Sequence, residues 1–224
     1  MKLLKTSFIL LFAVTLAVSV NAQSKGDAFK GKITYKITYP ESNLDAAQLS
    51  ALPQYMILTL SGNKSKAEMN MGQMDQVLLI DSEAKSTTIL IEINGQKLSI
   101  NPKKGTDRPL GKEPIVEPDG ETKEIAGYVC KKANIHFGDE KSKAAPSVVY
   151  YSEELGNNQI FYDNEYRNLK GIPLEFKYKM QGMSMLLTAS KIEPGKVKDK
   201  EFNIPSDYKE TSPQDLMKMF GGGM

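Results

Sequence analysis

Thr88-Ile89-Leu90-Ile91-Glu92-Ile93-Asn94-Gly95-Gln96-Lys97-Leu98-Ser99-Ile100-Asn101 is the stretch on which the fold turns. Asn94-Gly95 is the residue pair that best tolerates the two positive φ angles of a type I′ turn. A two-residue loop there makes the flanking runs the arms of a β-hairpin. The register then sets Ile91 opposite Leu98 and Ile89 opposite Ile100, so four aliphatic side chains share one face. Turn chemistry and face pattern agree, and antiparallel β structure is the expectation that follows.

Working outward, the same signals recur. Tyr55 to Leu60 and Lys64 to Met71 flank Ser61-Gly62-Asn63. With Gly62-Asn63 as the loop, Met56 faces Met69 and Leu58 faces Ala67. Phe29, Ile33, Tyr35, Ile37 and Tyr39 alternate with polar residues, apart from Gly31, and Pro40 ends that strand. Ser42 to Leu52 changes period. Leu44, Ala47, Ala51 and Leu52 fall on one helical side, Ser42 or Asn43 can cap it, and Pro53 stops it. Lys103 to Pro118, with its glycines, prolines and charges, reads as a long loop or irregular edge. Tyr128 to Phe137, Ser147 to Ser152, Gln159 to Tyr162, Leu174 to Met180 and Met183 to Ile192 bring the count to about ten strands. Ser212-Pro213 opens a second short helix, with Ser as N-cap and Pro in the first turn. Its stripe is Pro213, Leu216, Met217 and Phe220, and a Gly-rich flexible end at 221–224 closes the chain. The expectation is one mainly β domain over residues 23–224 with two short helices.

Met1 to Gln23 reads as a secretory signal. Lys2 and Lys5 form its positive start, Phe8 to Val18 is apolar except for Thr15, and Val20-Asn21-Ala22 places small residues for cleavage after Ala22. The apolar run is about half the ~20 residues of a spanning helix, which argues against a retained anchor. No Cys follows the cleavage site to carry a lipid. The expected location is periplasmic or secreted, peripheral to a membrane at most. Of 29 Lys+Arg and 27 Asp+Glu, removal of Lys2 and Lys5 leaves 27 against 27. That balance, with Arg108 and Arg167 as the only arginines, speaks against nucleic acid. One His and one Cys exclude intrachain disulfides, CxxC redox chemistry and His-rich metal sites.

Three stretches carry a family resemblance. Glu121-Thr122-Lys123-Glu124-Ile125-Ala126-Gly127-Tyr128-Val129-Cys130-Lys131-Lys132-Ala133 resembles the ETK-I-GY-C-KA signature of exported bacterial proteins that include the GLPGLI family. Leu169-Lys170-Gly171-Ile172-Pro173-Leu174-Glu175-Phe176 is similar to their GLPLE segment. Phe202-Asn203-Ile204-Pro205-Ser206-Asp207-Tyr208-Lys209 resembles their closing element. The chain departs from GLPGLI proteins at Ile172 and Leu174-Glu175, which places the resemblance in a sister family. The resemblance implies a LolA/LolB-like antiparallel half-barrel around an apolar cavity, and it supplies no catalytic residue to carry over.

Cys130 and His136, six apart in one strand, would stand roughly 20 Å apart on one face, too far for a dyad. Glu153-Glu154 and Asp139-Glu140 sit beside turns, and neighbouring strand residues point to opposite faces, so neither pair aims two carboxylates at one substrate. Methionine is the unusual feature, with 11 in the chain. Met69, Met71 and Met74 cluster, as do Met180, Met183 and Met185, and Met217, Met219 and Met224. A flexible core, a deformable apolar cavity and a soft copper(I) site all fit these thioethers. The leading expectation is non-enzymatic binding of a lipid or lipoprotein acyl chain, with no cofactor. Its candidate ligand residues are Met56, Met69, Met71, Met183, Met185, Leu216 and Phe220, and the second helix docks over the mouth. The alternatives are a methionine-cluster copper binder and a structural module without a small ligand.

Overall fold

In the computed structural model the Asn94-Gly95 hairpin forms in the register read above. Asn94 has φ 50° and Gly95 φ 74°, Ile91 pairs with Leu98, and Ile89 with Ile100. The structure describes residues 28–72, 74–101, 113–136, 146–156, 161–162, 164–180 and 183–221. The expected signal at 1–22 and the last three residues of the Gly-rich end lie outside them.

The elements are β1 (Gly31–Thr38), α1 (Ala46–Ser50), β2 (Tyr55–Ser61), β3 (Lys64–Asn70), β4 (Met74–Asp81), β5 (Ser86–Ile93), β6 (Gln96–Ile100), β7 (Ile115–Ile125), β8 (Tyr128–His136), β9 (Ser147–Ser152), β10 (Ile172–Met180), β11 (Met183–Pro194), β12 (Lys209–Glu210) and α2 (Pro213–Gly221). The strands form one sheet in the order β12-β6-β5-β4-β3-β2-β1-β11-β10-β9-β8-β7. All pairings are antiparallel except the two-residue β12, which runs parallel to β6. The result is the mainly β, open half-barrel expected, with two short helices. Two meanders, β2 to β6 and β7 to β11, meet on either side of β1. Bulges in the β1–β11 and β9–β10 ladders add local twist and help the sheet to curl.

The concave face holds the core. Ile33, Tyr35 and Ile37 of β1, Leu58 and Leu60 of β2, Leu174 and Phe176 of β10, and Met185 and Leu187 of β11 are all buried. The Tyr35 hydroxyl, fully enclosed, donates to the Pro173 carbonyl at 2.8 Å. Burial raises its pKa above the ordinary tyrosine value, so it stays a donor.

Several expectations need correction. Of the long loop or irregular edge expected over Lys103 to Pro118, Ile115 to Pro118 is the edge. It belongs to β7, the terminal strand of the sheet, where a proline can sit on the unpaired side, while residues 102–112 lie outside the described residues. A register shift between Pro118 and Thr122 and the exposed charges of Glu117, Asp119, Glu121 and Glu124 blunt that edge. Phe161 and Tyr162 lie in a turn and not in a strand, while residues 157–160 lie outside the described residues. Asp45, not Ser42 or Asn43, caps α1, since Gln48 three residues on completes a reciprocal capping box. No residue of α1 is fully buried. Ser212 does cap α2, accepting from the Asp215 N–H at 3.0 Å, but the helix runs on to include Gly221. Glu153-Glu154 lies at an exposed turn as read, and Asp139-Glu140 lies outside the described residues.

Candidate functional site

Strand register builds a cavity on the concave face. Leu58 faces Ala67 and Met56 faces Met69 across β2–β3. Gln76, Leu78 and Ile80 continue that floor on β4, and Thr87 ends it on β5. The sheet curls far enough for Leu187 of β11 and Phe176 and Tyr178 of β10 to form the opposite wall. The cavity, open on one side, has a volume of about 330 Å³. Among the described residues that line it, none is charged, and Ser65, Gln76, Thr87 and Asn164 supply the uncharged polar spots.

The connection between β9 and β10 roofs this space. Phe161, Asn164 and Tyr166 hang from it into the cavity. Phe161 and Tyr166 meet edge to face at 5.9 Å, and each meets Phe176 the same way, at 6.1 and 5.3 Å. Such pairs contribute roughly 0.5–1.5 kcal/mol each beyond area burial. Polar ties among the described residues hold the roof. Tyr166 donates its hydroxyl to the Lys177 carbonyl at 2.7 Å, and the Tyr162 and Thr87 hydroxyls share a 3.3 Å bond. On the outside Arg167 Nε donates to Glu113 at 3.2 Å, and Asn168 donates to Glu113 at 3.0 Å. Burial raises the Tyr166 hydroxyl pKa above its ordinary value, with Glu165 adding to the effect.

The residues singled out from sequence separate into groups. Met56 and Met69 line the cavity. Met185 is buried in the core at 1% exposure. Met71 lies just past the end of β3, where its N–H bonds to the Met74 carbonyl, and Met183 is half-buried at the start of β11. Neither is among the lining residues. Leu216 is half-buried on α2, which follows β12 at the far edge of the sheet. The Phe220 side chain lies outside the described residues. Phe161, Asn164, Tyr166, Phe176 and Tyr178 also line the cavity, beyond the candidate ligand residues read from sequence. Phe176 and Tyr178 stand at period two on β10, which was a usable signal. The roof residues carry no periodicity, and their placement depends on partners far along the chain.

No thiol-imidazole pair forms. Cys130 is fully buried, with its thiol 3.6 Å from the Tyr128 carbonyl, and burial pushes its pKa up to about 11. His136 sits instead 3.0 Å from the Glu117 carboxylate on the wet side. The expectation that both occupy one face fails because the buried set shifts from Cys130 to Ala133 and Ile135. Among the described residues no group of three or more His, Cys, Asp or Glu side chains could hold a metal ion. No described helix is long and apolar enough to cross a membrane.

No family model matches the chain, and no curated protein sequence matches it. Solved structures similar to it include two that differ widely from it in sequence. One is MucB in complex with MucA(peri), at 8% identity and TM-score 0.35, over 81% of this chain and 55% of that one. The other is LprF from Mycobacterium bovis, at 14% identity and TM-score 0.31, over 80% of this chain and 90% of that one. The chain thus spans little more than half the length of the MucB chain.

Proposed function

We propose that this chain is a non-enzymatic envelope protein that binds an apolar ligand, a lipid or a lipoprotein acyl chain, in the cavity between the two halves of the sheet. The observation that carries the reading is the 330 Å³ hollow whose described lining holds no charged side chain. A charge would demand an ionic partner there, whereas an acyl chain demands only displaced water. The thioethers of Met56 and Met69 adapt to varied apolar shapes. The signal-like sequence at 1–22 and the resemblance of three segments to exported families of LolA/LolB-like fold support the same reading. Burying about ten methylenes gains ~8 kcal/mol, at ~0.8 kcal/mol per CH₂. Immobilisation consumes half or more of that, so the chain alone leaves about 4 kcal/mol or less, a millimolar Kd, and micromolar affinity would need the whole gross gain.

A fluorescent alkyl-pyrene probe and its displacement by dodecanol test the reading. Ala67→Phe fills the middle of the cavity floor. It should abolish probe uptake while the circular dichroism spectrum stays unchanged. Failure of the wild-type protein to bind, or undiminished binding by the folded variant, would sink the reading.

A further inference from the structure

Where β9 and β10 part, a second hollow opens. Their pairing ends at Phe176 and Val149, while β10 runs on to Met180 against β11 alone. The gap holds a groove of about 520 Å³ whose walls include Ser147, Lys177, Lys179, Ser184, Glu41 and Glu165. Asn164, Tyr166 and Tyr178 line both this groove and the apolar cavity. An apolar space and a charged one therefore share a wall of three side chains, which is the layout an amphiphile requires.

The donors in the groove are not all engaged. Lys177 is paired with Glu41. Lys179 is exposed and forms no ion pair among the described residues. Asn164 accepts from the Tyr166 N–H through Oδ1 at 2.9 Å, which turns its Nδ2 away as a donor with no partner among the described residues. The Asn164 backbone is fixed on both sides, by its N–H to the Phe161 carbonyl and by the Arg167 N–H to its own carbonyl. That donor is therefore held in place on the common wall. Burial raises the Glu165 carboxyl pKa, while a hydrogen bond from Tyr166 and the Lys179 ammonium act in the opposite direction.

Building on the cavity reading above, we propose that cavity and groove are one site for a single-chain amphiphile with an anionic head. The chain lies between Met56, Met69 and Phe176, and a carboxylate or phosphate head meets the Lys179 ammonium and the Asn164 amide. One chain fits because 330 Å³ is near the lower end of the range of about 300–1,000 Å³ for small-molecule pockets. An anion fits because a charge-assisted bond to Lys179 replaces a hydration shell without displacing an existing pair.

Competition against the alkyl-pyrene probe by laurate, dodecyl phosphate, dodecanol and inorganic phosphate tests this. Both anionic amphiphiles should bind about tenfold tighter than dodecanol, the factor one charged hydrogen bond supplies, and inorganic phosphate alone should not compete. Lys179→Gln, at an exposed position, should lower the anions to the level of dodecanol and leave dodecanol unchanged. Asn164→Asp keeps the acceptor for Tyr166 but loses the donor and adds a negative charge, and it should weaken the anions further. Dodecanol binding as tightly as laurate, or an anion preference indifferent to Lys179→Gln, overturns the head site while the cavity reading stands. Competition by none of the amphiphiles overturns both.

Discussion

The hydroxyl of Tyr166 donates at 2.7 Å to the carbonyl of Lys177, the first residue of β10 beyond its ladder with β9. A side chain from the roof thus takes the bond that a neighbouring strand would have taken. Tyr166→Phe leaves that half-buried carbonyl without its donor and should cost about 1–2 kcal/mol. Tyr166→Ala also removes the ring contacts with Phe161 and Phe176 and should cost about 3–5 kcal/mol. Urea midpoints measure both, and equal losses for the two variants would contradict the assignment.

The Asn94-Gly95 turn gives a clean backbone test. A Cβ built on Gly95 meets nothing within 4 Å, so any penalty comes from φ and not from crowding. Gly95→Val should cost about 1–2 kcal/mol, the strain of a branched residue at positive φ. Gly95→Asn should cost less, since Asn tolerates that region. The urea midpoint should fall at constant m-value; a drop in m would point to a changed ensemble instead.

Gly171 is the opposite case. It has φ +157°, and a Cβ there would stand 2.6 Å from the Ser152 carbonyl oxygen, a backbone atom. Gly171→Ala must therefore push the start of β10 away from β9. About 3 kcal/mol or more is expected, the upper range for a single strained site, measured by thermal or urea unfolding. Wild-type stability in this variant would show that the two strands are not packed as closely as described.

Cys130 predicts a pH dependence with a definite sign. Its thiol is pushed up to about 11 in the fold, against an ordinary 9.0 in the unfolded chain. Between those values the native state holds the extra proton, so the contribution is complete below pH 9 and is lost as pH rises toward 11. The slope is at most about 1.4 kcal/mol per pH unit. The buried hydroxyls of Tyr35 and Tyr166 act in the same direction, so the comparison is with Cys130→Ala. That variant should lose less stability between pH 9 and 10 than the wild type. At neutral pH, iodoacetamide should label native Cys130 far more slowly than urea-unfolded protein.

The hairpins were legible because their information is local. Asn94-Gly95 and Gly62-Asn63 specify turns, and the period-two runs beside them then dictate that Met56 faces Met69. The cap of α1 was also within reach, since only Asp45 has a glutamine three residues on. β7 was obscured by Pro118, Gly120 and its charges, which signal a loop anywhere except at a sheet edge. The roof was illegible for a different reason. Phe161 and Tyr166 show no period, and what positions them is a bond from Tyr162 to Thr87, 75 residues away, together with an exposed Glu113 that precedes β7. Half of the candidate site thus follows from strand register, and the other half exists only once distant segments have met.

The first described strand, β1, lies in the middle of the sheet. β1 pairs with β2 nearby, but its other side waits for β11, with Ile37 joining Leu187 150 residues later. The meanders can zip through short turns, while this central seam carries the longest loop closure and so governs how fast the sheet completes. A chain emerging N-terminus first exposes that side of β1 as a bare row of N–H and C=O groups through most of its emergence. Lys32 and Lys36, alternating with the buried Ile33, Tyr35 and Ile37, set like charges along it. Two copies caught in transit would bring those ammonium groups together before their backbones could pair. Once β11 arrives, its ladder with β1 covers that side of the strand.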